Sequence, residues 1–243
     1  MISATLVGGP TVVFTYAGLT VITDPTFNEP GEYSGLAKTR GPAVPPQRLG
    51  ALDLALVSHD QHPDNLDNEG RAVLAQVPVV LTTTAGAARV PGTVGLEPWT
   101  TLAVGGVTVT AVPALHGPPH VAEQTGPVIG FVLEADGWPT VYFSGDNSEA
   151  DVVREIAAAF PDVMLAVVCA GAARVANRGP DPLTLDGERL AEVADLWPAA
   201  TIVPVHLDDW AHFSEPRDAL VANWGGASGR LTMLELGVPT QLT

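Results

Sequence analysis

Short apolar and β-branched runs alternate with turn signals through the first quarter of the chain, at 5–7, 11–16 and 19–23, separated by Gly8-Gly9-Pro10 and Ala17-Gly18. Runs this short with Gly and Pro punctuation predict a meander of strands. Asp24-Pro25 closes it. The stretch 28–47 is rich in Pro and Gly and has no period, which predicts a long loop of the kind compact domains use as lids or binding loops. Beyond it the pattern predicts an apolar strand at 52–58, a helix at 67–76, a strand at 77–83 and a short helix at 84–89.

A second meander is predicted at 101–103, 107–113, 128–135 and 140–144. The helix predicted at 148–160 has Ser148 as its cap and Glu149 and Asp151 in its first turn, where acidic groups favour the helix dipole. An apolar strand at 163–169, a helix from Thr184 or Asp186 to Trp197, a strand at 201–205, a helix at 215–224 and a last strand at 231–236 complete the reading. Two meanders, each followed by helices, predict an α+β fold of two sheets packed face to face with helices outside. At 46% hydrophobic, 243 residues suffice for one sizeable core, so a single domain over 1–243 is expected.

Charge narrows the partners. Eleven Lys and Arg stand against 27 Asp and Glu, a net charge of −16, and Lys38 is the sole lysine. Nucleic-acid binding relies on clustered cations, so a small-molecule substrate is expected and a nucleic acid is not. A homo-oligomer is compatible with the sequence. The lone Cys169 excludes an intramolecular disulfide and fits a reducing compartment. No basic residue precedes Lys38, as a signal peptide would require, and no apolar run is long enough to span a bilayer. A cytoplasmic location without membrane attachment is the expectation.

The chemistry lies in the histidines. All six follow predicted strands in pairs, His59 with His62, His116 with His120 and His206 with His212, and carboxylates are interleaved at Asp60, Asp64, Asp146, Asp208 and Asp209. One histidine on a surface loop is unremarkable. Six in this arrangement point to a metal site, because they supply the N and O donors zinc prefers. Arg174 and Arg178 read equally well as a clamp for an anionic substrate or as solvated arginines. His212, with Trp210 and Phe213, reads as a pocket wall or a support for a ligand histidine, although packing of the loop on its helix accounts better for the two aromatics. Cys169 reads as a small buried hydrophobe. No G-x-G-x-x-G, Walker-type or G-x-S-x-G pattern occurs, which argues against nucleotide binding by those routes and against a serine nucleophile.

Ser58-His59-Asp60-Gln61-His62-Pro63-Asp64-Asn65 resembles the HxHxDH signature of metallo-β-lactamase-fold hydrolases. Further stations follow in family order: Asp24 after the early strand, His116 in Pro113-Ala114-Leu115-His116-Gly117, Asp146 in Tyr142-Phe143-Ser144-Gly145-Asp146, and His206 in Val203-Pro204-Val205-His206. The chain is similar in particular to the ascorbate-phosphate lactonase-like branch. The resemblance implies a four-layer αββα sandwich and a hydrolase using a metal-activated water on a small ester-, lactone-, amide- or phosphoester-type substrate.

By the same resemblance, His59, His62 and His116 match the first metal site, Asp146 a carboxylate bridging two metals, and Asp64 and His206 ligands of the second. Asp64 is also the catalytic candidate, orienting the water or accepting its proton. Zinc is the expected ion, with manganese or iron as alternatives. Two departures stand out. One residue is inserted between the first two histidines, and Asn65 occupies the place of the last motif histidine. Alignment from the right would instead put Asp60 at the first histidine. A neutral amide oxygen is a weaker zinc ligand than imidazole, so one tightly held ion with a second weak or absent is expected. Asn65 and Gln61 also support a different reading, a degenerate member that binds a ligand or partner without turnover.

Overall fold

The computed structural model describes residues 1–224 and 231–242. Its first sheet has seven strands. Strands β1 (Ser3–Gly8), β2 (Thr11–Tyr16) and β3 (Leu19–Thr23) form the antiparallel meander the alternation predicts. Beyond β3 the sheet continues in parallel through β6 (Leu54–Leu56), β7 (Val79–Thr83) and β8 (Val94–Leu96), and β15 (Thr240–Gln241) pairs outside β1. The second sheet has six strands. Strands β9 (Thr101–Val104), β10 (Val107–Ala114), β11 (Val128–Glu134) and β12 (Thr140–Phe143) run antiparallel, and β13 (Val163–Cys169) and β14 (Thr201–Val205) extend β12 in parallel.

Strand alternation sends one set of side chains to each face. The inner faces of both sheets share one apolar core, with Phe14, Val21 and Leu54 of the first and Phe131, Phe143 and Leu165 of the second. On the outer face of the second sheet, Val132, Tyr142 and Val168 pack with Val153 of α4 (Ala150–Ala159) and Leu190 of α5 (Gly187–Leu196), and Leu220 of α6 (Arg217–Asn223) joins them. Against the outer face of the first sheet, Ile22 and Val80 pack with Val73 and Leu74 of α1 (Asn68–Leu74), which Asp67 caps by accepting from the Gly70 amide. A short α2 (Thr84–Ala87) follows β7. The order helix, sheet, sheet, helix is the expected αββα sandwich.

Several elements depart from the sequence reading. The predicted loop 28–47 contains a hairpin, β4 (Gly31–Tyr33) and β5 (Leu36–Lys38), turned at Ser34 and Gly35, both with positive φ. Three-residue strands are too short to show an alternation, and the turn belongs to the positive-φ class that suits hairpins. Helix α3 (Pro119–Thr125) and strand β8 were not anticipated. Ser148 does not cap α4: its hydroxyl donates to the Leu115 carbonyl, and Glu149 takes the cap position without a side-chain bond. Helix α6 starts at Arg217, because Glu215 instead accepts from the Gly187 amide. The last strand predicted at 231–236 is reduced to isolated bridges at Leu231 and Leu236.

Candidate metal centre

Two strand ends deliver the first group. His59 follows β6, His62 stands three residues on, and His116 follows β10. Their nitrogens converge: His59 Nε2 lies 2.8 Å from His62 Nδ1, and His116 Nε2 lies 3.2 Å from the same atom. Each neutral imidazole has one donor and one acceptor nitrogen, so three ring nitrogens facing one point cannot all satisfy one another. A cation at that point would satisfy all three. Two ligands about 2.0 to 2.1 Å from a tetrahedral ion sit about 3.3 Å apart, close to the spacing seen.

The far nitrogens fix the tautomers. His116 Nδ1 lies 2.7 Å from the Leu183 carbonyl, which can only accept, so Nδ1 carries the proton and Nε2 presents its lone pair. His59 Nδ1 lies 2.9 Å from Ser58 Oγ, and that hydroxyl donates onward to Asp24 Oδ2 at 2.7 Å. Burial, followed by the neighbouring His62, holds the His59 imidazole well below its ordinary pKa. Burial and the neighbouring His116 lower His62 in the same sense. Both rings are thus kept neutral, the form that binds metal.

Asp146 sits between this cluster and the next. A carboxylate oxygen lies 3.8 Å from His116 Nε2, and the other lies 3.0 Å from His206 Nδ1. Burial pushes Asp146 up, but the charge and hydrogen bond of His206 outweigh it and hold the carboxyl below its ordinary value. Conversely, burial pushes His206 down and Asp146 raises it well above the ordinary histidine value. Gly145 makes the turn that aims Asp146: its φ is +56°, and a Cβ there would come within 2.6 Å of the Ile129 carbonyl oxygen and of Ser58 Cβ. His206 itself has φ 59°, a left-handed conformation uncommon outside glycine and held here by its amide bond to the Gly9 carbonyl at 2.9 Å.

Asp64 lies on the other side of His206. Its Oδ2 is 3.1 Å from His212 Nε2 and 3.4 Å from His206 Nε2. Burial opposes ionisation, but the hydrogen bonds and charges of these two histidines hold Asp64 well below the usual carboxylate range. Of the sequence-predicted site residues, His59, His62, Asp64, His116, Asp146 and His206 all meet here. His120 does not: it is exposed on α3. His212 takes its place in the cluster, a position the sequence left among pocket-wall candidates.

The remaining carboxylates turn away. Asp60 is bound by both Arg89 and Arg71, so the alignment that puts it at the first histidine finds no geometric support. Asp208 pairs with Arg217, and Asp209 accepts from the Gly9 amide. Asn65 points behind His59 and donates to Asp24 Oδ2 at 3.2 Å. Cys169 is fully buried near His206 and Asp146, and burial pushes its thiol up to about 12.

A cavity of about 270 Å³ opens over the cluster, with Ser34 and Leu36 of the β4–β5 hairpin, Gln61, Leu183 and Arg178 around the histidines and Asp64. Arg178 reaches this rim and donates to Gln124 at 2.8 Å. Arg174 donates to Ser214 and lies outside the cavity. A larger cavity of about 420 Å³ beside Pro46, Asp53 and Gln76 carries no convergent histidines.

Residues 20–207 match the family model described as the beta-lactamase superfamily domain. The chain belongs to that superfamily. It is 26% identical over 144 residues to a metal-dependent hydrolase of Anaeromyxobacter dehalogenans, covering 57% of this chain and 49% of the relative. It is 29% identical over 167 residues to a metal-dependent hydrolase of Methanoregula boonei, covering 65% and 68%. The chain thus spans about half the length of one curated relative and about two thirds of the other. Its fold matches the crystal structure of an isothiocyanate hydrolase from Delia radicum gut bacteria with a TM-score of 0.84, 21% identity and 99% coverage of both chains. Among the described residues, no helix is long and apolar enough to cross a membrane.

Proposed function

We propose that this member of the superfamily is a metal-dependent hydrolase acting on a small ester-, lactone-, amide- or phosphoester-type substrate. The observation that carries this reading is the meeting of His59 Nε2, His62 Nδ1 and His116 Nε2, with the far nitrogens of His59 and His116 engaged by Ser58 and Leu183. These three would hold the ion, and neutral imidazoles favour zinc, with manganese and iron as the alternatives. A bound divalent ion lowers the pKa of water to about 7 and polarises the bond under attack.

The chain's own groups supply the rest. Asp64, kept ionised beside His206 and His212, is a weak base, so its part is to accept a hydrogen bond from water and orient it. Arg178 at the rim offers a planar cation to an anionic substituent, while Leu36 and Leu183 present apolar surface. The cavity volume suits a small molecule. The chain's net charge of −16 disfavours a polyanion.

The contrary reading, a chain that binds without turnover, rests on Gln61 and Asn65 in the first motif. Metal analysis of protein purified without chelator, with a screen of chromogenic lactones, phosphodiesters and isothiocyanates, separates the two. The hydrolase reading expects about one equivalent or more of metal and chelator-sensitive turnover of at least one class. A chain with no metal at the three histidines, or with metal and no turnover of any small electrophile, would overturn it.

A further inference from the structure

We propose that His212 supplies the imidazole missing at Asn65, so that Asp64, His206 and His212 form a second cation site beside the three-histidine cluster. This deepens the metal-dependent reading above and rests on it. Two Nε2 atoms from different residues approach one carboxylate oxygen: His212 at 3.1 Å and His206 at 3.4 Å from Asp64 Oδ2. Those spacings match two ligands of one small ion with bonds of about 2.0 to 2.2 Å.

Hydrogen-bond accounting points the same way. Asp64 Oδ1 and His206 Nε2 are both buried without a hydrogen-bond partner, and His212 presents Nε2 to the same carboxylate. Buried polar atoms are normally satisfied, and two orphans on residues that face each other call for a missing ion or ligand. His206 Nδ1 is engaged by Asp146 at 3.0 Å, the carboxylate–histidine arrangement that leaves the opposite nitrogen free to ligate.

His212 is also a built position. Its carbonyl accepts from the Arg174 amide at 2.8 Å, and the preceding Ala211 amide donates to Ala37 of the hairpin at 2.9 Å. Phe213 packs against both imidazoles, with ring centroids 4.6 Å from His206 and 4.5 Å from His212. Asn65 offers only its neutral amide oxygen, a weaker zinc ligand than imidazole, and its amide group is anchored on Asp24. The other face of His206, where Asp146 and Cys169 gather, is the competing location. There Cys169 belongs to the apolar core between the sheets, and Nδ1 is already bonded.

Competitive zinc titration of metal-stripped protein tests this on wild type, His212→Gln, Cys169→Ser and His59→Ala. Wild type should take up two equivalents, the second more weakly. In His212→Gln the first should persist while the second weakens at least tenfold, Cys169→Ser should match wild type, and His59→Ala should weaken the first. A second equivalent unchanged in His212→Gln, one lost in Cys169→Ser, or a wild type limited to one equivalent would each overturn the proposal.

Should a variant misfold, modification of the wild type by diethyl pyrocarbonate decides. The second equivalent should protect His212, while exposed His120 stays reactive; equal reactivity of His212 with one and two equivalents would refute the assignment. Two equivalents without turnover of any substrate would sink the hydrolase reading alone. Turnover with a second equivalent indifferent to His212 would sink only this inference.

Discussion

Asn65 and Asp24 are 41 residues apart in sequence, yet the Asn65 amide donates to Asp24 Oδ2 at 3.2 Å in the fully buried layer behind His59. The residue that departs from the family motif is therefore a support for the carboxylate that holds Ser58, and through Ser58 the first histidine. Asn65→Ala should cost about 1 to 3 kcal/mol by leaving a buried acceptor short of a donor. Urea denaturation checks this, with the first metal equivalent retained.

Asp24 makes stability depend on pH in a known direction. Burial raises its pKa from 3.8 to about 7, with three hydrogen bonds from Ser58 and Asn65 acting against the rise. Between those values the folded chain holds a proton the unfolded chain has released. Its contribution is complete below 3.8 and is lost as pH rises through about 7. The denaturation midpoint of metal-free wild type, measured relative to Asp24→Asn, should fall as pH rises across that window. A flat difference would count against a raised Asp24.

His116→Ala removes one of three converging nitrogens and the ring locked by the Leu183 carbonyl. Metal content after dialysis should drop toward zero, while circular dichroism keeps the sandwich signature. Retention of a full equivalent would shift the first site elsewhere.

Asp64→Asn keeps the shape but removes the charge between His206 and His212. Turnover on a substrate found by screening should fall by about 10²–10⁴-fold, the usual scale for a lost proton-handling or water-orienting group. The ion at the three histidines should remain. Wild-type turnover in this variant would remove Asp64 from the mechanism.

Cys169 should resist alkylation. With no exposure and a thiol pushed up to about 12, it is nearly all thiol at pH 8 in the native chain. Iodoacetamide should label it only after unfolding, read by intact mass. Rapid native labelling would show that the core around β13 opens.

Alternation made both meanders legible, because each buries one face against the other sheet and leaves a period-two trace. The histidines at the ends of β6, β10 and β14 were legible for a related reason: strand ends turn abruptly, and polar residues there stand out against apolar runs. What could not be read were relationships across the chain. Asp60 looks like a ligand until Arg89 and Arg71 are brought to it by folding. His120 and His212 follow strand ends equally closely in sequence, but Pro118 and Pro119 start α3 and carry His120 outward. Phe213 and the hairpin fix His212 inward. The hairpin itself was illegible because six residues in two strands carry too little period.

That hairpin belongs to neither large sheet, yet Ser34 and Leu36 wall the cavity. It is fastened at its far end, where Lys38 is buried 3.5 Å from Asp67 and 5.6 Å over the Trp210 ring. His59, His62, His116, Asp146 and His206, by contrast, follow the strand ends of the two large sheets. The three-histidine cluster and this wall are thus separately mounted: Ser34 and Leu36 can be varied in side chain without disturbing His59, His62 or His116. Divergence in what the cavity admits can accumulate in this small appendage while the chemistry beneath it stays constant.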